Sequence, residues 1–131
     1  MTLELIGEFV GKNIVYRILP DGKIETSNQG TGKFLGIDAY IMSTAMGVLS
    51  NGNFSGELNG LLTTVDGNSI LLKGTAISIP NEKGVITTKA ASYQRTESEK
   101  LMRFNKVLLL HEYETDMAGN WKSKIWEWKQ I

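Results

Sequence analysis

Lys73 and Glu127 stand on faces of their runs that otherwise read as apolar, and any chemistry in this chain would begin with them. Counting across the hairpin centred on Asp66 and Gly67 sets Lys73 between Leu71 and Thr75, opposite the space left by Gly60. Glu127 falls beside Ile125 on its own run. Ionised groups are rarely buried unless paired, because desolvation costs several kcal/mol per ion. If both point inward, the two pair with each other or face a polar cavity, and a carboxyl group there is a candidate general acid or base. The alternative is structural: a bulge turns one of them outward, or Lys73 snorkels to a rim.

His111 is the only histidine, and it shares a face with Val107, Leu109 and Tyr113. His111 and Tyr113 complete the set of interior polar candidates for ligand binding, although a packed, hydrogen-bonded histidine is the plainer reading. One histidine and no cysteine exclude His-based zinc clusters, thiolate metal sites, thiolate catalysis and disulfides. No carboxylate spacing matches a calcium loop, so no metal is expected. A serine relay would have to run through His111, yet no serine sits in a nucleophile-elbow context. Gly30, Gly32 and Gly36 lack the dinucleotide spacing, and the Gly-Lys pairs lack a phosphate-loop frame, so no cofactor is expected. Asn53-Phe54-Ser55 matches a glycosylation acceptor by chance, since Phe54 reads as inward-facing. Trp121, Trp126 and Trp128 can stack on bases or sugars, or mark packing and a subunit contact.

These residues are positioned by hairpins. Two β-type runs flank Asp116-Met117-Ala118-Gly119-Asn120, where Gly119 suits a type I turn closed by a glycine bulge. With Asp116 facing Asn120, Glu114 opposes Lys122, Glu112 opposes Lys124, Leu110 opposes Trp126 and Leu108 opposes Trp128. Each opposite-charge pair contributes roughly 0.2–1 kcal/mol. Pro20-Asp21-Gly22 closes an earlier hairpin that sets Arg17 against Glu25 and puts Ile14, Tyr16, Ile18 and Ile24 on one face. A third strand, from 33 to 46, has poor periodicity and is equally consistent with a helical turn near 43–46. Phe54, Gly56, Leu58, Gly60 and Leu62 alternate cleanly with polar residues. Treating Asp66-Gly67 as the next turn sets Leu62 against Leu71, Gly60 against Lys73 and Leu58 against Thr75. Another turn, at 80–84, leads to a strand over 85–95. Thr96-Glu97-Ser98-Glu99 has the form of a capping box, which predicts one short helix near 97–103 with Leu101 and Phe104 turned inward.

The chain has 131 residues, 41% hydrophobic and 21% charged, which predicts one soluble all-β domain over 1–131. Eight strands joined by tight hairpins close most economically into an antiparallel up-and-down barrel, with a flattened sandwich as the competing form. An eight-stranded barrel is filled by side chains or holds one small ligand. Fourteen basic residues balance fourteen acidic ones, leaving no electrostatic footprint for nucleic acid or an anionic membrane. No secretory signal or membrane-length apolar run is present, so the sequence predicts a cytoplasmic protein.

The Thr-Gly-Lys-Phe-Leu-Gly segment, the 53–64 strand, Ser92-Tyr93, the Thr-Glu-Ser-Glu-Lys-Leu helix start and the terminal Trp-Glu-Trp-Lys together resemble a family of small uncharacterised prokaryotic proteins. The fold of that family is similar to the allene oxide cyclase barrel, and the likeness runs from about Leu5 to Lys129. The resemblance implies a barrel, a ligand cavity and self-association as a homo-oligomer. It supplies no catalytic residue. Three functions fit: a barrel binding a small, partly apolar molecule; an isomerase or cyclase on a lipid-like substrate using Glu127 or His111; and an interaction module working through its Trp-rich face.

Overall fold

The computed structural model describes residues 2–129. Gln130, with which the β-type run after Asn120 ends in the sequence, lies outside them. The strands are β1 (Thr2–Ile18), β2 (Ile24–Phe34), β3 (Ile37–Ser50), β4 (Asn53–Thr64), β5 (Ser69–Pro80), β6 (Ile86–Arg95), β7 (Leu108–Thr115) and β8 (Asn120–Lys129). Each is antiparallel to the next, and β8 returns to pair with β1, so the sheet is a closed up-and-down barrel rather than a sandwich. A 3₁₀ helix, Glu99–Lys106, joins β6 to β7. It serves as a plug for one end.

The β7–β8 hairpin has the register its charge pattern predicts: Leu110 faces Trp126, Glu112 faces Lys124 and Glu114 faces Lys122. The Asp116 amide donates to the Asn120 carbonyl at 2.9 Å, and Gly119 takes a φ of +86°. The β1–β2 hairpin likewise pairs Arg17 with Glu25, at 3.3 Å between charged atoms. A bulge between Asn13 and Val15 shifts the register there, and Ile14, Tyr16 and Ile18 are exposed, Tyr16 at the rim of the barrel.

Two expectations fail here for reasons of turn geometry. The 33–46 run is not one strand. Leu35 and Gly36 take φ values of +53° and +77°, forming a two-residue turn of the kind that connects hairpins, so β2 ends at Phe34 and β3 starts at Ile37. Beyond that turn Ala39, Ile41 and Ser43 are buried while Asp38, Tyr40 and Met42 face out, without a helical turn.

The second failure moves a candidate residue. The β4–β5 loop is the three-residue Val65-Asp66-Gly67, because the Thr64 amide donates to the Asn68 carbonyl at 2.9 Å. Leu62 therefore faces Ile70, Gly60 faces Leu72 and Leu58 faces Gly74. One extra loop residue slips the register by one and exchanges the two faces of β5. Lys73 consequently points outward, between Asn59 and Tyr93 on the neighbouring strands.

The capping box does not form. Ser98 is the N-cap but makes no side-chain cap bond; Thr96 instead donates its hydroxyl to the Ser69 carbonyl at 2.6 Å. The helix still drives Leu101 and Phe104 into the barrel, with Phe104 against Phe34 at 5.4 Å between ring centroids.

Side-chain size grades along the barrel. Inward positions of β5 run Ile70, Leu72, Gly74, Ala76, Ser78, and those of β3 run Ile41, Ser43, Ala45, Gly47. Large residues with Leu101 and Phe104 fill the plugged half. Small residues leave the other half open. At the boundary Trp121 lies over Gly11 and Gly30, where an added Cβ would meet its ring at 2.4 and 2.5 Å. These two positions admit no side chain while the indole stays where it is.

Candidate functional site

The open half encloses a cavity of about 290 Å³ whose mouth lies among the β1–β2, β3–β4, β5–β6 and β7–β8 turns. Tyr113 and Trp121, edge to face at 5.3 Å between centroids, border it on the side of the filled half. Leu58, Ala76 and Ala90 form one apolar wall, with Phe54 and Ile86 nearer the mouth. Asn28, Thr26, Ser78, Thr88 and Thr115 supply the polar part. None of the described residues lining the cavity is charged. A larger concavity of about 1010 Å³ runs past Val10, Tyr40, Met42, Glu114 and Lys122, and it is more open to solvent. Strands surround the barrel cavity, so it removes more of a small molecule from water.

Several lining groups are already oriented. The Ser43 hydroxyl donates to Asn28 Oδ1 at 2.9 Å, leaving the Asn28 amide hydrogens for the cavity. Ser78 and Thr88, facing each other across β5 and β6, share a hydrogen bond of 2.6 Å. Asn13 Nδ2 donates to the Tyr16 hydroxyl at 2.7 Å at the rim. The buried Trp121 Nε1–H has no partner among the described residues. Burial pushes the Tyr113 hydroxyl up to about 12, so it stays protonated near neutrality.

Of the four interior candidates, the structure keeps three inside: Glu127, His111 and Tyr113 are buried. Lys73 is not among them, for the register reason above. Tyr113 alone of the four lines the cavity. Glu127 lies in the plugged half, where its Oε2 accepts from Arg103 Nη1 at 2.7 Å. Glu127 therefore pairs with the plug helix, not with Lys73. The carboxylate holds the Arg103 guanidinium above its ordinary pKa, and that guanidinium also sits 4.2 Å from the Phe104 ring centroid. Glu127 Oε1 is buried without a partner among the described residues.

His111 belongs to a hydrogen-bonded chain that ties the barrel wall to the plug. Gln94 Nε2 donates to the Phe104 and Val107 carbonyls at 3.1 and 2.9 Å, which turns its Oε1 toward Ser92. The Ser92 hydroxyl donates to Oε1 at 2.7 Å. With that hydrogen committed, Ser92 Oγ accepts from His111 Nε2 at 2.7 Å. The chain thus selects the Nε2–H tautomer and leaves Nδ1 with a lone pair, buried and without a partner among the described residues. Burial lowers the imidazole pKa from 6.5 to about 4, so the ring is neutral at pH 7.

Sequence reasoning missed Arg103, Ser92, Gln94 and the polar arc at the cavity. A signal was available for some of them: Ser92 and Gln94, two apart on a strand, share a face with Ala90, as Thr26 and Asn28 share one on β2. For Arg103 no signal existed, because the plug's docking angle decides what it reaches.

The architecture is that of a plugged eight-stranded barrel with a neutral cavity at its open end. No family model matches the chain, and no curated protein matches it. Solved structures do. A protein of unknown function from Clostridium acetobutylicum aligns with a TM-score of 0.81 at 9% identity, covering 98% of this chain and 100% of that one. A conserved protein of unknown function from Rhodopseudomonas palustris gives 0.78 at 10% identity, covering 96% and 95% of the two chains. A β-barrel-like protein from Acinetobacter baumannii gives 0.77 at 15% identity, covering 98% and 96%. At these identities the likeness is one of fold: the structural neighbours are bacterial β-barrels, two of them described as being of unknown function.

Proposed function

We propose that this protein binds a small, partly apolar molecule inside the open half of the barrel. The grading of inward side chains carries the reading: Ala45, Gly47, Gly56, Ala76 and Ala90 hold the wall back just where the plug helix no longer fills the interior. A barrel evolved only for stability gains by filling such a space, since empty volume forfeits packing energy. The allene oxide cyclase-like resemblance of the sequence implies a ligand cavity, which agrees with this reading. Cytoplasmic residence belongs to this reading and is checked by cell fractionation.

The test is titration with N-phenyl-1-naphthylamine, an uncharged dye that brightens out of water. Saturable binding near one dye per chain is expected, lost in Ala90→Leu, which extends a side chain into the cavity while keeping an apolar residue. Absence of binding, or binding indifferent to Ala90→Leu, refutes the reading.

Self-association is a second proposal, favoured by one outer stripe. Leu3 faces Trp128 and Leu5 faces Trp126 across β1 and β8, and Leu108 and Tyr93 continue the band across β7 and β6. Leu3, Trp128, Leu108 and Tyr93 are 50%, 42%, 44% and 57% exposed, a contiguous apolar strip of the kind that marks contacts. Sedimentation equilibrium at micromolar concentration showing only a 14.5 kDa species overturns it.

A further inference from the structure

The cavity's hydrogen-bonding groups are unequally matched, and the mismatch specifies a ligand chemistry. Asn28 is the clearest case. Its carbonyl oxygen is taken by the Ser43 hydroxyl, which fixes the amide plane and leaves Nδ2–H without a protein acceptor on the cavity side. The Trp121 ring also lines the cavity, but its indole N–H is itself occluded, so Trp121 offers a ligand an aromatic face and not a donor. Tyr113 adds a protonated hydroxyl to the same lining. Water reaches the half-buried Asn28 in the empty barrel, and a ligand that displaces it must supply an acceptor, since a donor left unpaired on burial costs about 1–3 kcal/mol.

Charge sets the other limit. Among the described residues no lysine, arginine, histidine or carboxylate reaches the lining, and the buried Glu127 pairs with a half-exposed Arg103 in the plugged half. An ionised ligand would leave water with nothing to pair against. The rest of the wall is apolar or aromatic: Ile24, Leu49, Phe54, Leu58 and Ile86 with the Tyr113–Trp121 pair.

Resting on the binding function proposed above, we infer that the ligand is an uncharged molecule with an apolar ring or branched body and a carbonyl-type acceptor oxygen, the oxygen taken by the amide of Asn28. Ser43 is a positioning residue in this scheme, since it acts only by holding Asn28. Carboxylates of the same shape are excluded by the neutral lining.

Three matched naphthalene probes test this by fluorescence titration: a neutral ketone, 6-propionyl-2-(dimethylamino)naphthalene; the corresponding 6-(dimethylamino)-2-naphthoate anion; and N-phenyl-1-naphthylamine, which has no acceptor oxygen. The ketone is expected to bind at least about 100-fold more tightly than the carboxylate, the equivalent of an unpaired buried charge. Asn28→Leu should weaken the ketone about 3–10-fold, the worth of one neutral hydrogen bond, and leave the naphthylamine unchanged. Ser43→Ala provides a second variant and should give part of the Asn28→Leu effect with the same selectivity. Ketone emission in the wild type should lie to the red of that in Asn28→Leu, because a hydrogen bond to the carbonyl stabilises its excited state. If naphthylamine binds while ketone and carboxylate bind alike, or while Asn28→Leu and Ser43→Ala both leave the ketone unaffected, this inference falls and the binding function stands. If no probe binds, both fall.

Discussion

Lowering the pH from about 7 to about 5 protonates His111 of the unfolded chain almost alone, because it is the only histidine and ordinary carboxylates titrate lower. The Asp66 carboxyl, held well below its usual range first by Lys100 and then by Thr64, and Asp116, held down chiefly by the Asn120 backbone amide, titrate beneath that window. The folded imidazole has a pKa of about 4 against 6.5 in the unfolded chain. As pH falls the unfolded chain therefore takes the proton first, and acid favours unfolding. Stability from this residue is complete above about pH 6.5 and declines toward pH 4. Each pH unit over which only the unfolded chain is protonated costs about 1.36 kcal/mol, so the descent to pH 5 costs about 2 kcal/mol and the full window about 3 kcal/mol. Urea melts at about pH 7, 6 and 5 measure this directly, with His111→Gln as the comparison. The wild type should lose about 2 kcal/mol while the variant, neutral throughout, stays flat. A flat wild type would mean that the imidazole is not held neutral in the fold. A slope that persists in the variant would assign it to another group.

Arg103→Met strands the buried Glu127 carboxylate and should destabilise by about 1–3 kcal/mol, below the full cost of an orphaned charge because Arg103 is half exposed; combining it with Glu127→Met should recover most of that in the same melts. Lys73→Met, by contrast, should change stability by no more than about 0.5 kcal/mol, as an outward side chain does. Gly30→Ala sets a methyl group against the Trp121 ring and the Val10 carbonyl and should cost about 1–3 kcal/mol with a shift in tryptophan emission; unchanged emission and stability would disprove the packing described. Exchanging Glu112 and Lys124, which face each other, should restore part of what each single reversal loses, with a coupling of roughly 0.2–1 kcal/mol, and zero coupling would contradict the pairing.

Much of the barrel was legible in the chain itself. Pro20-Asp21-Gly22 and the Asp116–Asn120 turn carry their own φ requirements and capping atoms, so the partners of Arg17 and Glu112 follow by counting. The alternation from Phe54 to Leu62 is a property of the pleat and identifies the inward face without any partner strand. Leu101 and Phe104 are buried as their spacing suggests, even though the cap expected to position them is absent. Other features belong to the tertiary structure. Asp66-Gly67 is compatible with a two-residue or a three-residue loop, and the choice was made by which face of β5 the core accepts: Ile70, Leu72 and Ala76 bury, so Lys73 cannot. Leu35 adopts positive φ because β2 and β3 must pair on either side of it, not because leucine favours that region. Glu127 finds Arg103, and His111 finds Ser92 and Gln94, across 24, 19 and 17 residues of sequence. The cavity likewise has no local signature. It exists because small residues on separate strands reach the same level of the barrel only after closure sets the stagger between strands, and stagger is a property of the whole ring.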